Sequence, residues 1–174
     1  MALLILAALV VACSSAPSPS ETPLRVVERG SGLTLAVTAE RSVVAAGEEV
    51  VVGASLSHDQ PEPVTISGSG TGLAFFSVTR LEDGLSSGPP VMTSDCVPHE
   101  LPAGVPTDYP FAKSGGWSPD DPNAEFMELY NSDPALTLPP GTWRIDVTAV
   151  GTIGEGCAGE TLDLAASIEI DVTE

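Results

Sequence analysis

The sequence predicts an all-β fold, most simply a sandwich of two sheets, and three observations support this prediction. Glycine (17) and proline (16) are frequent, whereas aromatic residues make up only 5% of the chain. Apolar and polar residues alternate with period two in several short runs, as they do in strands with one buried face. Polar or glycine-containing turns separate these runs. Together these features favour short strands joined by turns over long helices.

The first half of the predicted domain contains four strands and one less regular candidate. The first strand begins near Gly32, and a turn at 45–48 separates it from the second. A third short strand contains Val64 and Ile66, a fourth spans 73–80, and residues 90–94 are the fifth candidate. The first two strands are predicted to turn these residues inward: Leu33, Leu35, Val37, Val50, Val52, Ala54 and Leu56.

The middle of the chain, 95–140, does not alternate and is rich in proline. We therefore predict a long proline-rich insertion between strands. Residues 119–131 within it have the pattern of a short helix, with Ser118 or Asp121 as its cap. The predicted apolar face of this helix consists of Phe126, Leu129 and Tyr130.

Strict alternation returns in the last part of the chain. Residues 143–149 place Trp143, Ile145, Val147 and Ala149 on one face. The longest alternation runs over 162–172 and predicts the clearest strand of all. About seven strands with one solvent-facing side each favour a β-sandwich, with a barrel as the alternative.

The amino terminus has the features of an export signal. Residues 1–12 are almost entirely apolar, which is too short for the roughly 20 residues of a membrane-spanning helix but matches the apolar part of a signal peptide. Val10, Val11, Ala12 and Cys13 resemble the lipobox of bacterial lipoproteins. The usual basic residue before the apolar run is missing, and the alternative is an apolar segment that ends in a buried cysteine.

The lipobox resemblance implies lipidation of Cys13 and cleavage before it. The predicted organisation is a signal peptide at 1–12, a Ser/Pro-rich tether at 13–31 and a folded domain at 32–174. Acyl chains on the cysteine, palmitate among them, would anchor the protein to the cell membrane or the outer membrane. The domain would then face the extracytoplasmic side of the cell envelope.

The charge of the chain argues against nucleic-acid binding. Six Lys and Arg residues stand against 24 Asp and Glu, a formal net charge of -18. A phosphate backbone would be repelled by such a surface. The hydrophobic fraction of 43% is nevertheless sufficient for a packed core, so the acidity does not indicate a disordered chain.

Two cysteines remain after Cys13. In an oxidising compartment Cys96 and Cys157 are expected to form a disulfide, although two free buried thiols are the alternative. A zinc site is disfavoured because no spaced set of Cys and His ligands accompanies them. We expect no metal and no cofactor.

The candidate polar and aromatic sites lie in predicted loops. His58 and His99, the two histidines, are expected to be exposed turn residues, and a Ser-His-Asp site is a minor alternative. Tyr109 and Trp117 are candidate binding residues because exposed loop aromatics anchor partners, although both would equally fit as caps of the core. A calcium site is a further alternative for the acidic group Asp120, Asp121, Asn123 and Glu125.

Three segments resemble one family of immunoglobulin-like domains. They are AAGEEVVV at 45–52, FFSVTRLEDG at 75–84 and LPPGTW at 138–143. In order and approximate spacing they are similar to the BsuPI family, named for an intracellular proteinase inhibitor of Bacillus. The resemblance implies an immunoglobulin-like β-sandwich over roughly 33–172 and transfers no inhibitory residue.

These observations lead to an expected function and two alternatives. We expect a membrane-anchored lipoprotein whose domain is a non-catalytic binding or structural module, with a protein partner in the cell envelope. The first alternative, implied by the BsuPI resemblance, is a proteinase inhibitor of the envelope. The second is an enzyme with a site built from loops, and no catalytic motif in the sequence supports it.

Overall fold

The computed structural model describes residues 23–174, which form two β-sheets. Cys13, the predicted signal peptide and the tether up to residue 22 lie outside the described residues. The elements, in chain order, are strands β1 (Leu24–Gly30), β2 (Leu33–Ala39), β3 (Val43–Ala45), β4 (Val52–His58), β5 (Val64–Gly68), β6 (Ala74–Arg80), β7 (Val97–Leu101) and β8 (Thr107–Pro110), helix α1 (Ala124–Asn131), and strands β9 (Gly141–Ile153) and β10 (Glu160–Thr173).

The first sheet has the order β1-β2-β4-β8, with antiparallel neighbours throughout. The second sheet has the order β3-β10-β9-β5-β7. Because β10 covers one edge of β9, strands β5 and β6 share its other edge. The pair of β3 and β10 is parallel. This arrangement confirms the prediction of an all-β fold with two sheets.

The core lies between the sheets and is built from the alternating strands. On β10 every second residue from Leu162 to Val172 is buried, and the residues between them are exposed. Trp143, Ile145 and Val147 on β9 are fully buried. The inward faces predicted for the first two strands are buried as well. Period-two alternation therefore identified the core correctly wherever it was strict.

The predicted tether is wrong at its end, because residues 24–30 form strand β1. This strand pairs with β2 residue by residue, from Leu24 opposite Ala39 to Gly30 opposite Leu33. The connecting residues Ser31 and Gly32 both have positive φ, 49° and 74°. Two positive φ values are what a tight hairpin turn needs to match the twist of its strands. The domain thus begins before residue 32.

The segment 95–140 is also more regular than predicted. It contains β7, which pairs with β5, and β8, which pairs with β4. Both are short, and both contain a proline, Pro98 and Pro110, which disturbs the alternation in the sequence. Residues 90–94, the fifth strand candidate, form no strand.

Helix α1 is shorter than predicted and begins at Ala124. Before it, the Ser118 N–H donates to Asp121 Oδ2 at 2.6 Å in a turn, and Asn123 occupies the N-cap position without a capping side-chain bond. Phe126 and Tyr130 are buried as predicted, but Leu129 is 66% exposed. In residues 23–174 no helix is both long and apolar enough to cross a membrane.

A disulfide joins Cys96 and Cys157, with 5.9 Å between their Cα atoms. Cys96 directly precedes β7, and Cys157 lies in the loop between β9 and β10. The predicted pairing of these two cysteines is confirmed. The bond ties the crossover from β6 to β7 to the hairpin of the last two strands.

Candidate binding groove

Aromatic stacking holds α1 against the second sheet. The ring of Phe126 stacks on that of Trp143, with centroids 5.5 Å apart and planes 25° apart. Phe126 also contacts Tyr130 at 5.5 Å. The Trp143 Nε1–H donates to the Pro139 carbonyl at 2.8 Å, which fixes the indole. The helix is therefore attached through its buried face to the core of the domain.

Lys113 secures the carboxyl end of α1. Its ammonium donates hydrogen bonds to the carbonyl oxygens of Tyr130 and Asp133, the latter at 2.7 Å, and lies 4.6 Å from the Tyr130 ring centroid. Burial lowers the pKa of Lys113, and the charge of Asp133 opposes that shift. A cation at this end also favours the helix dipole. Lys113 is the single lysine of the chain.

Arg80, at the end of β6, lies over the ring of Trp143. Its guanidinium carbon is 5.7 Å from the Trp143 ring centroid. The Arg80 Nε–H and Nη2–H donate to the two carboxylate oxygens of Asp83 at 3.0 and 2.6 Å. These bonds, with one from the Leu85 N–H, lower the pKa of Asp83 to about 2. The charge of Arg80 is therefore paired within its own turn.

A groove of about 680 Å³ lies between α1 and the turn that contains Arg80. Its helix wall includes Glu125, Glu128 and Leu129 of α1 and Ser132 directly after it, which share one face at i, i+3, i+4 and i+7. Leu85 and Pro139 contribute apolar surface to the lining. The volume is within the range of sites that bind small ligands or peptide side chains. We refer to this feature as the α1 groove.

Of the two aromatic candidates, Trp117 lies beside the α1 groove. It is 38% exposed and lines a cavity of about 230 Å³ that shares Pro122 and Asn123 with the groove. Tyr109, on β8, is half-buried and packs against the core, and burial raises its pKa. For Tyr109 the structure therefore corresponds to the alternative of a residue that caps the core.

His58 is buried, so its prediction as an exposed turn residue is wrong. It is 2% exposed, and its Nε2 lies 3.0 Å from the Leu101 carbonyl oxygen. Its Nδ1 accepts a hydrogen bond from the Gln60 N–H at 3.3 Å. An acceptor role for Nδ1 leaves Nε2–H as the donor to Leu101. The imidazole thus joins the end of β4 to β7.

His99 lies on β7 and is half-buried, so its prediction as an exposed turn residue is wrong as well. It comes close to Ser69 without forming a catalytic relay. Its Nε2 bonds to the Ser69 backbone carbonyl at 2.8 Å. The Ser69 hydroxyl instead bonds to the hydroxyls of Thr71 and Thr93, each at 2.8 Å. Hydrogen bonds from the Thr93 hydroxyl and the Gly70 N–H lower the pKa of Asp95. A nucleophile-base pair needs the imidazole on the hydroxyl, which this network does not provide.

Two of the four residues considered as calcium ligands, Asp121 and Asn123, take part in local hydrogen bonds through their side chains. Asp121 accepts from the Ser118 N–H, and the Asn123 amide donates to the Ser86 carbonyl at 3.3 Å. In the described part of the chain no three His, Cys, Asp or Glu residues are grouped as metal ligands.

The α1 groove was not predicted from the sequence, because its walls come from residues far apart in the chain. The helix period predicts Leu129 on the buried face of the helix, and the segment 75–84, which contains Arg80, stands out only by its resemblance to the BsuPI family. The i, i+3, i+4 spacing of Glu125, Glu128 and Leu129 was the available signal. No protein-family model matches this chain, and no curated protein matches it.

Proposed function

We propose that this protein is an exported lipoprotein, anchored to an envelope membrane through Cys13. Its domain, an immunoglobulin-like sandwich, acts as a non-catalytic binding or structural module in the cell envelope. The observation that supports this most is the disulfide between Cys96 and Cys157. Structural disulfides persist in oxidising compartments, which is where a lipobox signal would deliver the chain.

The environment of the histidines supports a non-catalytic role. Both His58 and His99 bond through Nε2 to backbone carbonyls that lie on other segments of the fold. The side chains best suited to general base catalysis near neutral pH are thus engaged in joining strands and loops. The acidic surface, with 24 Asp and Glu, would keep a tethered domain soluble.

The test of anchoring uses metabolic labelling with a clickable fatty-acid analogue. The wild-type chain should take up label and sediment with membranes, and Cys13→Ala should do neither. Ser14→Ala, which changes the next residue and keeps the cysteine, is the matched control and should behave as wild type. Label on the Cys13→Ala protein would refute the lipobox interpretation.

The second candidate function is inhibition of an envelope proteinase. It is favoured by the resemblance to the BsuPI family and by the segment 111–123, which joins β8 to α1 without a strand or helix and carries the partly exposed Trp117. Incubation with a panel of purified proteases separates the two candidates. Saturable, stoichiometric inhibition that is lost in Trp117→Ala would favour the inhibitor, and unchanged protease activity would favour the binding module.

A further inference from the structure

We propose that the α1 groove binds a segment of an envelope protein in which an apolar side chain is flanked by Lys or Arg. This inference rests on the proposed function, because it names the surface and the partner chemistry of that binding module. It depends on the shape of the groove, the exposure of Leu129 and the distribution of charge around it.

The apolar part of the argument concerns Leu129. Its side chain is 66% exposed on a helix whose opposite face is buried against Trp143 and the core. Leu85 and Pro139 line the same groove. A leucine at the edge of a concave apolar surface gains by removal from water, and a partner's apolar side chain inserted in the groove would provide that burial.

The charge around the groove selects the partner. Glu125 and Glu128 line the helix wall, and both are exposed. Arg80, the single cation among the described residues that line the groove, already bonds to both carboxylate oxygens of Asp83. Within residues 23–174 neither glutamate forms a salt bridge, so the groove presents negative charge beside apolar surface. Lys or Arg next to an inserted apolar side chain would complement it.

The same charge disfavours the other occupants. A second copy of the chain would bring another net charge of -18 to the interface, so the two copies repel each other. Anionic lipid headgroups are repelled for the same reason. A basic, partly apolar protein segment remains the occupant that both the groove and the chain as a whole attract.

The experiment measures binding of short fluorescein-labelled peptides to the full chain in neutral detergent, with detergent alone as the blank. One peptide alternates Leu with Lys, a second replaces Lys by Glu, and a third replaces Leu by Ala. We expect saturable binding of the Leu/Lys peptide only. Binding should weaken as salt is added, because the contacts are partly electrostatic.

Two variants and two matched controls test whether the peptide binds in the α1 groove. Leu129→Glu and the double variant Glu125→Lys/Glu128→Lys should each weaken binding about tenfold or more. Val105→Glu changes an apolar residue that is 55% exposed elsewhere, and Asp59→Lys/Glu62→Lys makes the same change in net charge at an exposed turn. Both controls should bind as wild type.

Three outcomes would overturn the inference. The first is that Asp59→Lys/Glu62→Lys weakens peptide binding as much as the groove variants do. The second is that the Leu/Lys peptide shows no saturable binding. The third is that the chain self-associates in sedimentation and Leu129→Glu abolishes this self-association. If peptide binding fails in one of these ways while Cys13 still takes up the acyl label, the groove is rejected as the peptide-binding site and the proposed anchoring stands. A photo-reactive form of the peptide, cross-linked to α1 and mapped by mass spectrometry, gives independent support.

Discussion

The ammonium of Lys113 lies 4.6 Å from the ring centroid of Tyr130 and also donates a hydrogen bond to the carbonyl oxygen of that residue. One side chain thus contacts both the aromatic ring and the backbone at the end of α1. Because the lysine precedes the helix by several residues, this contact closes the segment 113–130 into a compact unit.

Lys113→Met is expected to lower the free energy of unfolding by about 2 kcal/mol. The variant keeps the apolar stem but removes the charge-assisted bonds to the Tyr130 and Asp133 carbonyls and the cation-π contact. Urea denaturation of both proteins provides the measurement. Arg25→Met removes an equal charge from an exposed position on β1 and should change stability little. Equal losses in the two variants would show that Lys113 acts only through net charge.

The ionisation of Tyr130 should make the domain sensitive to alkali. Burial raises the pKa of Tyr130 from 10.0 to about 12, against a smaller opposing effect of Ser87. The unfolded chain therefore releases this proton first, so the stability due to Tyr130 is complete below pH 10 and is lost as the pH rises towards 12.

A pair of phenylalanine variants isolates this effect. Tyr109→Phe leaves Tyr130 as the single tyrosine, and the phenolate absorbance of the folded protein should then titrate near pH 12. Adding Tyr130→Phe to that background should flatten the fall in melting temperature between pH 10 and 12. A titration midpoint near pH 10 in the folded Tyr109→Phe protein would contradict the prediction.

Reduction of the disulfide should destabilise the domain by about 4 kcal/mol in the chain-entropy account. The bond joins residues separated by 61 positions, so the unfolded chain gains much freedom when it is broken. The melting temperature with and without reductant measures the effect. In Cys96→Ser/Cys157→Ser the reductant should have no effect. Alkylation of the unreduced wild type should label neither cysteine, and label at both would exclude the bridge.

Gly151→Ala should lower stability by about 1–3 kcal/mol, because β9 approaches β5 closely at this position. A Cβ atom there would lie 2.7 Å from Ile66 Cγ2 and 3.0 Å from the Ser67 carbonyl oxygen. Gly116→Ala is the matched control, since its Cβ would meet no atom within 4 Å. Equal stability of the two variants in urea denaturation would refute the close-packing argument.

The sequence predicted those parts of the fold in which a local pattern reflects burial. Strand β10 alternates strictly because one of its faces packs on the core, and this pattern is visible without knowledge of any neighbour. Strand β1 was missed because Val26 and Val27 are adjacent, and what makes it a strand is its pairing with β2 through the Ser31-Gly32 turn. Such pairing depends on two segments together, so the local pattern of one segment does not reveal it.

The candidate site was less predictable than the fold for the same reason. His58 appears in the sequence as a turn residue beside prolines, yet its acceptor is the carbonyl of Leu101, which lies 43 positions away. The disulfide was predictable because only two cysteines remained to pair. For Leu129 the helix period gave the correct spacing but not the side of the helix that would face the core, which Phe126 and Trp143 decide.

The parallel pairing of β3 with β10 determines when the domain can be completed. Residues Val43–Ala45 find their partners at 171–173, and the Ala46 N–H donates to the Thr173 carbonyl at 2.7 Å. During synthesis, or any other process that delivers the chain from its amino end, β3 cannot pair until β10 has been delivered. The second sheet can therefore be completed only after the whole chain has been delivered. Because its contacts join residues far apart in the sequence, we expect this step to be slow.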